Sequence, residues 1–313
     1  MSVDAPTWRC EEIAADVLHV SLPRSRGRGF VNVQLLGGPE GWTLVDSGEQ
    51  SDITREALLG FLGDRGVLDD GISQIFLTHG HRDHTGLAAE LAELTGATIL
   101  AHEATLPGDP IDVEFLRRHG FESAPAARFT TSPADPIPRD RFRAVSDGDV
   151  LAAGPRRFRL IATPGHQRGH LCGFDEESGL LLSGDRVLRI PTGVRLLSGV
   201  DEDPLAEHLR SYDVLLGLAV RRVLPGHGRA FVDVRGALDE DRRAHEQDIR
   251  AVLEAVPAEG TDAPAVARRA FGSTADESVG LPALGRSLAV LRLLQEKGLV
   301  RSDPDTVPVC FTR

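Results

Sequence analysis

The stretch that most constrains this chain is "IFLTHGHRDHTG", residues 75–86, where three of the eleven histidines and an aspartate fall within six positions. An apolar run leads directly into it, and "DHTGLAAELAELTG" then predicts a single helix closed by Gly96. A fold that contains this stretch needs a buried strand, a turn crowded with imidazoles, and a helix. A lone histidine is ordinary in any protein, but a packed set at alternating positions indicates a metal site.

The spacing of this cluster predicts two cations rather than one. His79 and His81 leave the strand on the same side and can share one ion. Asp83 and His84 lie on the following turn, a few ångströms away, and suit a second ion. Imidazole nitrogen with carboxylate oxygen is a ligand set typical of zinc, with bonds of about 2.0–2.2 Å.

Three later segments supply the further donors that two such sites require. They are His166 in "TPGH", Asp185 in "SGD" and His227 in "PGHG". Each follows an apolar strand and lies beside a glycine, which lets the backbone turn tightly. An aspartate between two cations can bridge them, so seven donors would hold two ions about 3.5–4 Å apart, as in two-metal hydrolases.

Strands and helices alternate along most of the chain, which predicts layered α/β packing. The first half contains strands at 17–23, 30–38, 41–48 and 72–79, with a helix capped by Ser51 or Asp52. Strands at 158–166 and 221–228 flank a hairpin at 171–185 and a helix at about 203–217. The proline-rich segment 104–142, with one helix at about 111–119, is predicted to be an insertion that acts as a lid.

The composition excludes several functional classes. With 313 residues, 41% of them hydrophobic, the chain is an ordinary globular protein, and its net charge of −12 argues against a surface built mainly for nucleic acid or anionic lipid. Cys10, Cys172 and Cys310 are scattered and predict reduced thiols in a cytoplasmic protein. The sequence shows neither a signal pattern nor an apolar run long enough to span a bilayer, so a membrane role is not expected.

Taken in order, "THGHRDHTG", "TPGH", "SGD" and "LPGHG" resemble the metallo-β-lactamase-fold hydrolases, glyoxalase II-like branch, over roughly residues 14 to 230. The resemblance implies an αββα sandwich over residues 1–235, with the metals at one edge of two facing sheets. Residues 236–313, a long helix and two shorter ones at about 263–271 and 282–297, resemble the helical linker and winged-helix module of one subgroup. The ligands implied are, for the first metal, His79, His81 and His166; for the second, Asp83, His84 and His227; and, bridging both, Asp185.

The function implied is hydrolysis of a thioester, ester or lactone carbonyl by a hydroxide held between two divalent metal ions. Zinc is expected, although the same donors accept manganese or iron. The predicted catalytic residues are Asp83, which orients the nucleophile, and the bridging Asp185. Asp46 is predicted to fix a ligating histidine through its far nitrogen. His170 is predicted to be a surface or pocket-rim residue.

The substrate stays open at this level. Tyr212, the only tyrosine, falls within a predicted helix and is expected to pack there, which disfavours lactonases that rely on a tyrosine near the metals. The tail lacks the tyrosine and basic residues that bind glutathione in glyoxalase II, so a small acyl substrate, carrier- or coenzyme A-bound, is expected. Which acyl group the site accepts depends on the shapes of segments 104–142 and 187–199.

Two alternatives remain. The resemblance also covers a lactamase-β-like endoribonuclease or phosphodiesterase, and iron in the same ligands would give a redox protein. Seven cationic and six acidic residues from Thr261 to Arg313 make the tail nearly neutral, which favours a structural role or a homodimer contact over nucleic-acid binding.

Overall fold

A computed structural model of the chain describes residues 8–25, 29–38, 41–105, 111–121, 136–199, 203–272 and 280–313. In this part of the chain, two large sheets lie face to face with helices outside them, and a third, small sheet lies near the C-terminus. Here, too, no helix is both long and apolar enough to cross a membrane.

The first sheet has seven strands whose order in space follows their order along the chain. They are β1 (Arg9–Ala14), β2 (Val17–Pro23), β3 (Phe30–Gly38), β4 (Gly41–Val45), β5 (Ile72–Phe76), β6 (Thr98–Ala101) and β7 (Phe142–Ala144). Neighbours from β1 to β4 are antiparallel, and those from β4 to β7 are parallel. Parallel pairing places the carboxyl ends of β4 and β5 side by side, with Val45 opposite Phe76.

Four helices belong to this half: α1 (Asp52–Asp64), α2 (Val67–Asp70), α3 (Arg82–Thr85) and α4 (Ala88–Thr95). The hydroxyl of Ser51 accepts a hydrogen bond from Thr54 N and caps α1, as predicted. The single helix expected up to Gly96 is instead broken into α3 and α4. The break falls at Leu87, whose φ of −104° and ψ of 4° leave the helical region, whereas Gly86 keeps helical angles. Gly86 is packed so closely that a Cβ atom there would lie 2.2 Å from the backbone nitrogen of Gln50.

The second sheet contains β8 (Val150–Ala153), β9 (Arg156–Ala162), β10 (Leu171–Asp175), β11 (Leu180–Gly184) and β12 (Arg222–Pro225). Its order is β12-β11-β10-β9-β8, antiparallel except between β11 and β12. Helix α5 (Val113–Arg118) lies in the predicted insertion, and α6 (Pro204–Leu216) crosses from β11 to β12. Since residues 106–110 and 122–135 lie outside the described residues, the lid stays a prediction.

Buried apolar side chains from both large sheets form one core between them, including Val45 and Phe76 from the first and Phe158 and Leu182 from the second. A second core joins the outer face of the first sheet to α1 and α4. A third joins the second sheet to α6 and to the start of α7 (Val234–Ala255). The layers are therefore helix, sheet, sheet and helix, which confirms the predicted α/β sandwich.

The C-terminal part adds α8 (Ala263–Phe271), α9 (Leu281–Glu296) and a small sheet of β13 (Thr261–Asp262), β14 (Arg301–Asp303) and β15 (Cys310–Thr312), ordered β13-β15-β14. Its apolar core is shared with the rest of the chain. Leu116 of α5, Val194 and Leu196 of the loop after β11, and Leu205 of α6 all belong to it. The division at residues 235/236 and the winged-helix assignment stay predictions.

Candidate metal centre

The histidine turn follows β5 directly and ends in the short helix α3. His81 has extended backbone angles and its carbonyl accepts hydrogen bonds from His84 N and Thr85 N, so α3 begins immediately after it. This change from extended to helical backbone sends His79 and His81 to one side and turns Asp83 and His84 toward a neighbouring position. The backbone therefore separates His79 and His81 from Asp83 and His84, as the spacing predicts.

Three histidines and an aspartate converge to form the first set of donors. His81 Nδ1 lies 3.0 Å from His79 Nε2 and 2.9 Å from His166 Nε2. Asp185 Oδ2 lies 3.6 Å from His166 Nε2. Nitrogens that share a tetrahedral zinc ion at about 2.0 Å lie about 3.3 Å apart, so these separations fit one cation.

Asp83, His84 and His227 form the second set. Asp83 Oδ2 lies 3.4 Å from His227 Nε2 and 3.9 Å from His84 Nε2. Asp185 also faces this set, because its Oδ1 lies 3.5 Å from His84 Nε2 and its Oδ2 lies 3.4 Å from His227 Nε2. All seven side chains predicted as ligands are thus brought together, and one carboxylate lies between the two sets.

Two buried atoms show that the donor set fits cations. Within the described residues, His84 Nε2 and Asp185 Oδ1 are buried and make no hydrogen bond. Burial acts to lower the pKa of both His84 and His227, but the nearby carboxylates of Asp185 and Asp83 outweigh it, raising the pKa of His84 well above its usual value and that of His227 to about 9. The second set therefore favours positive charge, whereas burial lowers the pKa of His79, His81 and His166 in the first set and favours the neutral imidazoles that bind metal ions.

Asp46 is hydrogen-bonded to one histidine of the second set and, through Thr78, to one histidine of the first. Its Oδ2 lies 2.8 Å from His84 Nδ1, which fixes the ring whose other nitrogen faces the second set. Its Oδ1 accepts a hydrogen bond from Thr78 N at 2.8 Å, and the Thr78 hydroxyl lies 3.0 Å from His79 Nδ1. The carboxylate thus orients one histidine of each set. Asp46 follows β4 and has the positive φ of 57° that aims its side chain here.

Backbone carbonyls fix two further rings. His166 Nδ1 lies 2.9 Å from Gly193 O, and His227 Nδ1 lies 2.9 Å from Phe30 O. A hydrogen bond at the far ring nitrogen sets the tautomer and leaves the near nitrogen free to bind a metal.

His170 corrects part of the sequence prediction. It is fully buried and so does not lie at the surface, although it does line a small pocket beside His102 and Gly169. Its Nε2 accepts a hydrogen bond from Asp185 N at 3.2 Å, and its Nδ1 lies 2.8 Å from the Thr163 hydroxyl. His170 therefore holds the backbone of Asp185 in place. Its position four residues after His166 was the only signal in the sequence.

Arg24 and Gln167 were missed altogether. Arg24 Nη2 lies 3.1 Å from Asp83 Oδ2, and the side-chain oxygen of Gln167 accepts a hydrogen bond from Gly80 N inside the histidine turn. Burial acts to raise the pKa of Asp83, but His84, His227 and Arg24 outweigh it and hold it well below its usual range. Neither Arg24 nor Gln167 belongs to a recognisable motif, so no sequence pattern pointed to them.

Comparison with known proteins identifies this arrangement. The sequence pattern of the metallo-beta-lactamase superfamily matches residues 26–227, which contain all seven donors. The chain belongs to this superfamily. A metallo-beta-lactamase family protein from Thermus thermophilus superposes with a TM-score of 0.80 at 27% identity, over 96% of this chain and 99% of that one. A beta-lactamase domain protein from Burkholderia ambifaria gives 0.84 at 27% identity, over 97% and 94%.

Curated relatives of this superfamily member carry several names. The probable metallo-hydrolase YqjP of Bacillus subtilis is 26% identical over 77% of this chain and 82% of its own length. The acyl-coenzyme A thioesterase MBLAC2 of Bos taurus is 28% identical over 64% and 74%, and the atrochrysone carboxyl ACP thioesterase of Aspergillus fumigatus is 27% identical over 72% and 59%. The hydroxyacylglutathione hydrolase of Marinomonas sp. is 31% identical over 44% and 42%, so the relatives include glyoxalase II-like enzymes.

Proposed function

We propose that this protein is a dinuclear metal-dependent thioesterase. His79, His81 and His166 would hold one divalent ion, Asp83, His84 and His227 the other, and Asp185 would bridge them. The position of Asp185 carries the proposal, because its two oxygens lie within 3.6 Å of histidine nitrogens from both sets. Zinc is the expected metal, since imidazole and carboxylate suit it.

The chemistry combines the ions with charged groups of the chain. Two divalent ions bound there would lower the pKa of a water molecule and polarise a substrate carbonyl. Asp83 stays ionised because of His84, His227 and Arg24, so its carboxylate can accept a hydrogen bond from the attacking water and orient it. Asp46 and the carbonyls of Gly193 and Phe30 keep the histidine rings fixed during this step.

The ionised state of Asp83 also bears on the leaving group. An amine must be protonated as it leaves, and a carboxyl with a low pKa is a poor proton donor. A thiol has a pKa of about 8.5 and can leave as a thiolate near neutral pH. The site therefore suits a thioester better than an amide, and the thioesterases among the relatives support the same substrate class. Tyr212 is buried, 1% exposed, and its hydroxyl donates to Asp241, so it is not available to the substrate.

The test begins with metal content and a substrate panel. We expect the full chain to bind two zinc ions and to hydrolyse acyl-coenzyme A or acyl-carrier thioesters, with activity lost on chelation and restored by zinc. Asp185→Asn should lose this activity, whereas Asp213→Asn, an exposed carboxylate on α6, should retain it. Cleavage of single-stranded RNA with no thioester turnover would overturn the proposal in favour of a nuclease.

We assign residues 236–313 to a helical linker and a winged-helix module that shapes the pocket. The order α7, β13, α8, α9, β14, β15 supports this assignment, and Leu196 N donates to Gly285 O of α9 at 2.9 Å, which ties the module to the loop after β11. Removal of residues 261–313 should therefore lower stability or thioesterase activity. A truncated chain with unchanged melting temperature and kinetics would contradict this role.

A further inference from the structure

A second buried polar cluster lies behind the metal centre. Arg186, the residue after Asp185, is fully buried, and Asp241 of α7 is 4% exposed. Arg186 Nη1 lies 3.3 Å from Asp241 Oδ2. The same oxygen accepts a hydrogen bond from the Tyr212 hydroxyl at 2.8 Å and lies 2.9 Å from His208 Nε2. The carboxylate of Asp241 on α7 therefore balances the charge of the buried Arg186 guanidinium.

The other oxygen of Asp241 connects this cluster to the ligands. Oδ1 accepts a hydrogen bond from Thr192 N at 2.7 Å. The Thr192 hydroxyl donates to Asp185 O at 2.9 Å, and the next residue, Gly193, offers its carbonyl to His166 Nδ1 at 2.9 Å. Two ligands of the first set, Asp185 and His166, are thus linked to Asp241 through one short stretch of loop.

A third metal site is the other interpretation, because His208, Asp241 and His245 offer three donor atoms close together. The geometry disfavours it. Both oxygens of Asp241 already contact donors, and a buried guanidinium 3.3 Å away repels a further cation. Among the residues that the structure describes, His208 Nδ1 and His245 Nε2 are buried without a hydrogen-bond partner, but the Arg186 guanidinium already supplies the positive charge that Asp241 balances, so a metal ion is not favoured here.

We infer that Asp241 is a positioning residue for the metal centre. From α7 it holds residues 185–193 so that Asp185 and His166 meet on the first metal ion. This inference rests on the proposed function, since it requires that the centre binds metal. It extends the site beyond the superfamily match, which ends at residue 227.

The experiment compares two buried aspartates of α7 in the full chain. Asparagine keeps only one acceptor oxygen, so Asp241→Asn cannot accept both from Thr192 N and from Arg186 and Tyr212. Because loss of an outer hydrogen-bond partner typically costs 10- to 100-fold in metal affinity, binding of the first zinc ion should weaken about tenfold. Asp248→Asn is the matched control: Asp248 is 5% exposed and pairs with Arg286 of α9, without contact to residues 185–193. Both variants should lower the melting temperature, but only Asp241→Asn should change zinc affinity, measured by chelator competition, and the visible absorption of the Co²⁺ form.

Thr192 provides a milder test if Asp241→Asn does not fold. Thr192→Val removes the hydroxyl that holds Asp185 O and should weaken zinc binding about three- to tenfold, whereas Thr192→Ser should restore it. Wild-type zinc affinity and Co²⁺ spectrum in folded Asp241→Asn, or in Thr192→Val where Asp241→Asn does not fold, would overturn the inference. A wild-type protein that binds fewer than two zinc ions would instead overturn the proposed function.

Discussion

Gly226, in the "PGHG" segment, leaves no room for a side chain beside the metal centre. A Cβ atom there would lie 2.4 Å from Asp185 Oδ1 and 2.7 Å from His84 Cε1. Non-bonded atoms normally stay about 3.5 Å apart, so Gly226→Ala should displace these side chains by about 1 Å. Metal–ligand distances tolerate only about 0.2 Å. We therefore expect zinc affinity to fall at least about 100-fold.

The fold itself should tolerate this alanine. Gly226 does not have a positive φ, and its backbone bonds, from Gly226 N to Gly184 O and from Asn32 N to Gly226 O, do not involve the added methyl group. Two of the three closest atoms belong to side chains, and the third, the backbone carbonyl carbon of Gly184, lies 3.1 Å from the added Cβ and needs to give by only a few tenths of an ångström. The metal-free protein should therefore stay within about 1 kcal/mol of the wild-type free energy of unfolding. Denaturant unfolding in chelator measures the free energy of unfolding of the metal-free protein, and zinc titration measures the zinc affinity.

Gly228→Ala, two residues along the same loop, should show the opposite pattern. Gly228 has a φ of 85°, and a Cβ there would meet none of the described atoms within 4 Å. Alanine in this left-handed region costs about 1–2 kcal/mol, but it should leave zinc affinity within a few-fold of wild type. If Gly226→Ala binds two zinc ions as tightly as the wild type, the reasoning about the centre is refuted.

The remaining predictions concern Asp46, His208 and the cysteines. An asparagine at position 46 cannot accept from both Thr78 N and His84 Nδ1, so zinc affinity should fall about 10- to 100-fold; unaltered affinity in a zinc titration would contradict this. Burial and Arg186 lower the pKa of His208 to about 3 from 6.5, so its neutral form stabilises the fold above pH 6.5. That contribution is lost as the pH falls, by about 2–3 kcal/mol at pH 4.5. Denaturant unfolding of the metal-free protein should show a shallower pH dependence for His208→Gln, and an unchanged slope would count against the assignment. Burial raises the pKa of the Cys172 thiol to about 11. A thiol reagent at pH 8 should therefore label at most two of the three cysteines of the native protein by intact mass, and three labels would show that Cys172 is accessible.

The sequence predicted the parts of the centre that local backbone geometry determines. His79, His81, Asp83 and His84 lie within one turn, so their spacing alone sets their directions. Three more donors could be identified because each ends a strand beside a glycine, namely His166, Asp185 and His227. Strands alternating with helices predicted layered α/β packing, and the resemblance to the metallo-β-lactamase-fold hydrolases implied the sandwich. The edge strand β1 was missed because its burial is low and its residues include charged side chains.

The residues that the sequence did not reveal act through contacts between distant segments. Arg24 reaches Asp83 across the sheet edge, and Asp241 reaches Thr192 from another layer. Neither contact has a local pattern, because an arginine or aspartate on an ordinary loop or helix is most often solvated. His170 is a related case, since a histidine close to a ligand in sequence gives no sign of which backbone group it will hold.

The contacts of the loop after β11 decide whether the C-terminal part can be a separate module. Its first residue, Asp185, is a proposed ligand, and its middle, Thr192, is held by Asp241 of α7. Its end is buried against α9, where Leu196 N donates to Gly285 O. A module that bound a partner independently would need a surface free of the catalytic part. Here the C-terminal helices instead pack against the loop that carries Asp185 and orients His166, so we expect changes in their packing to alter metal affinity before they alter any binding to a partner.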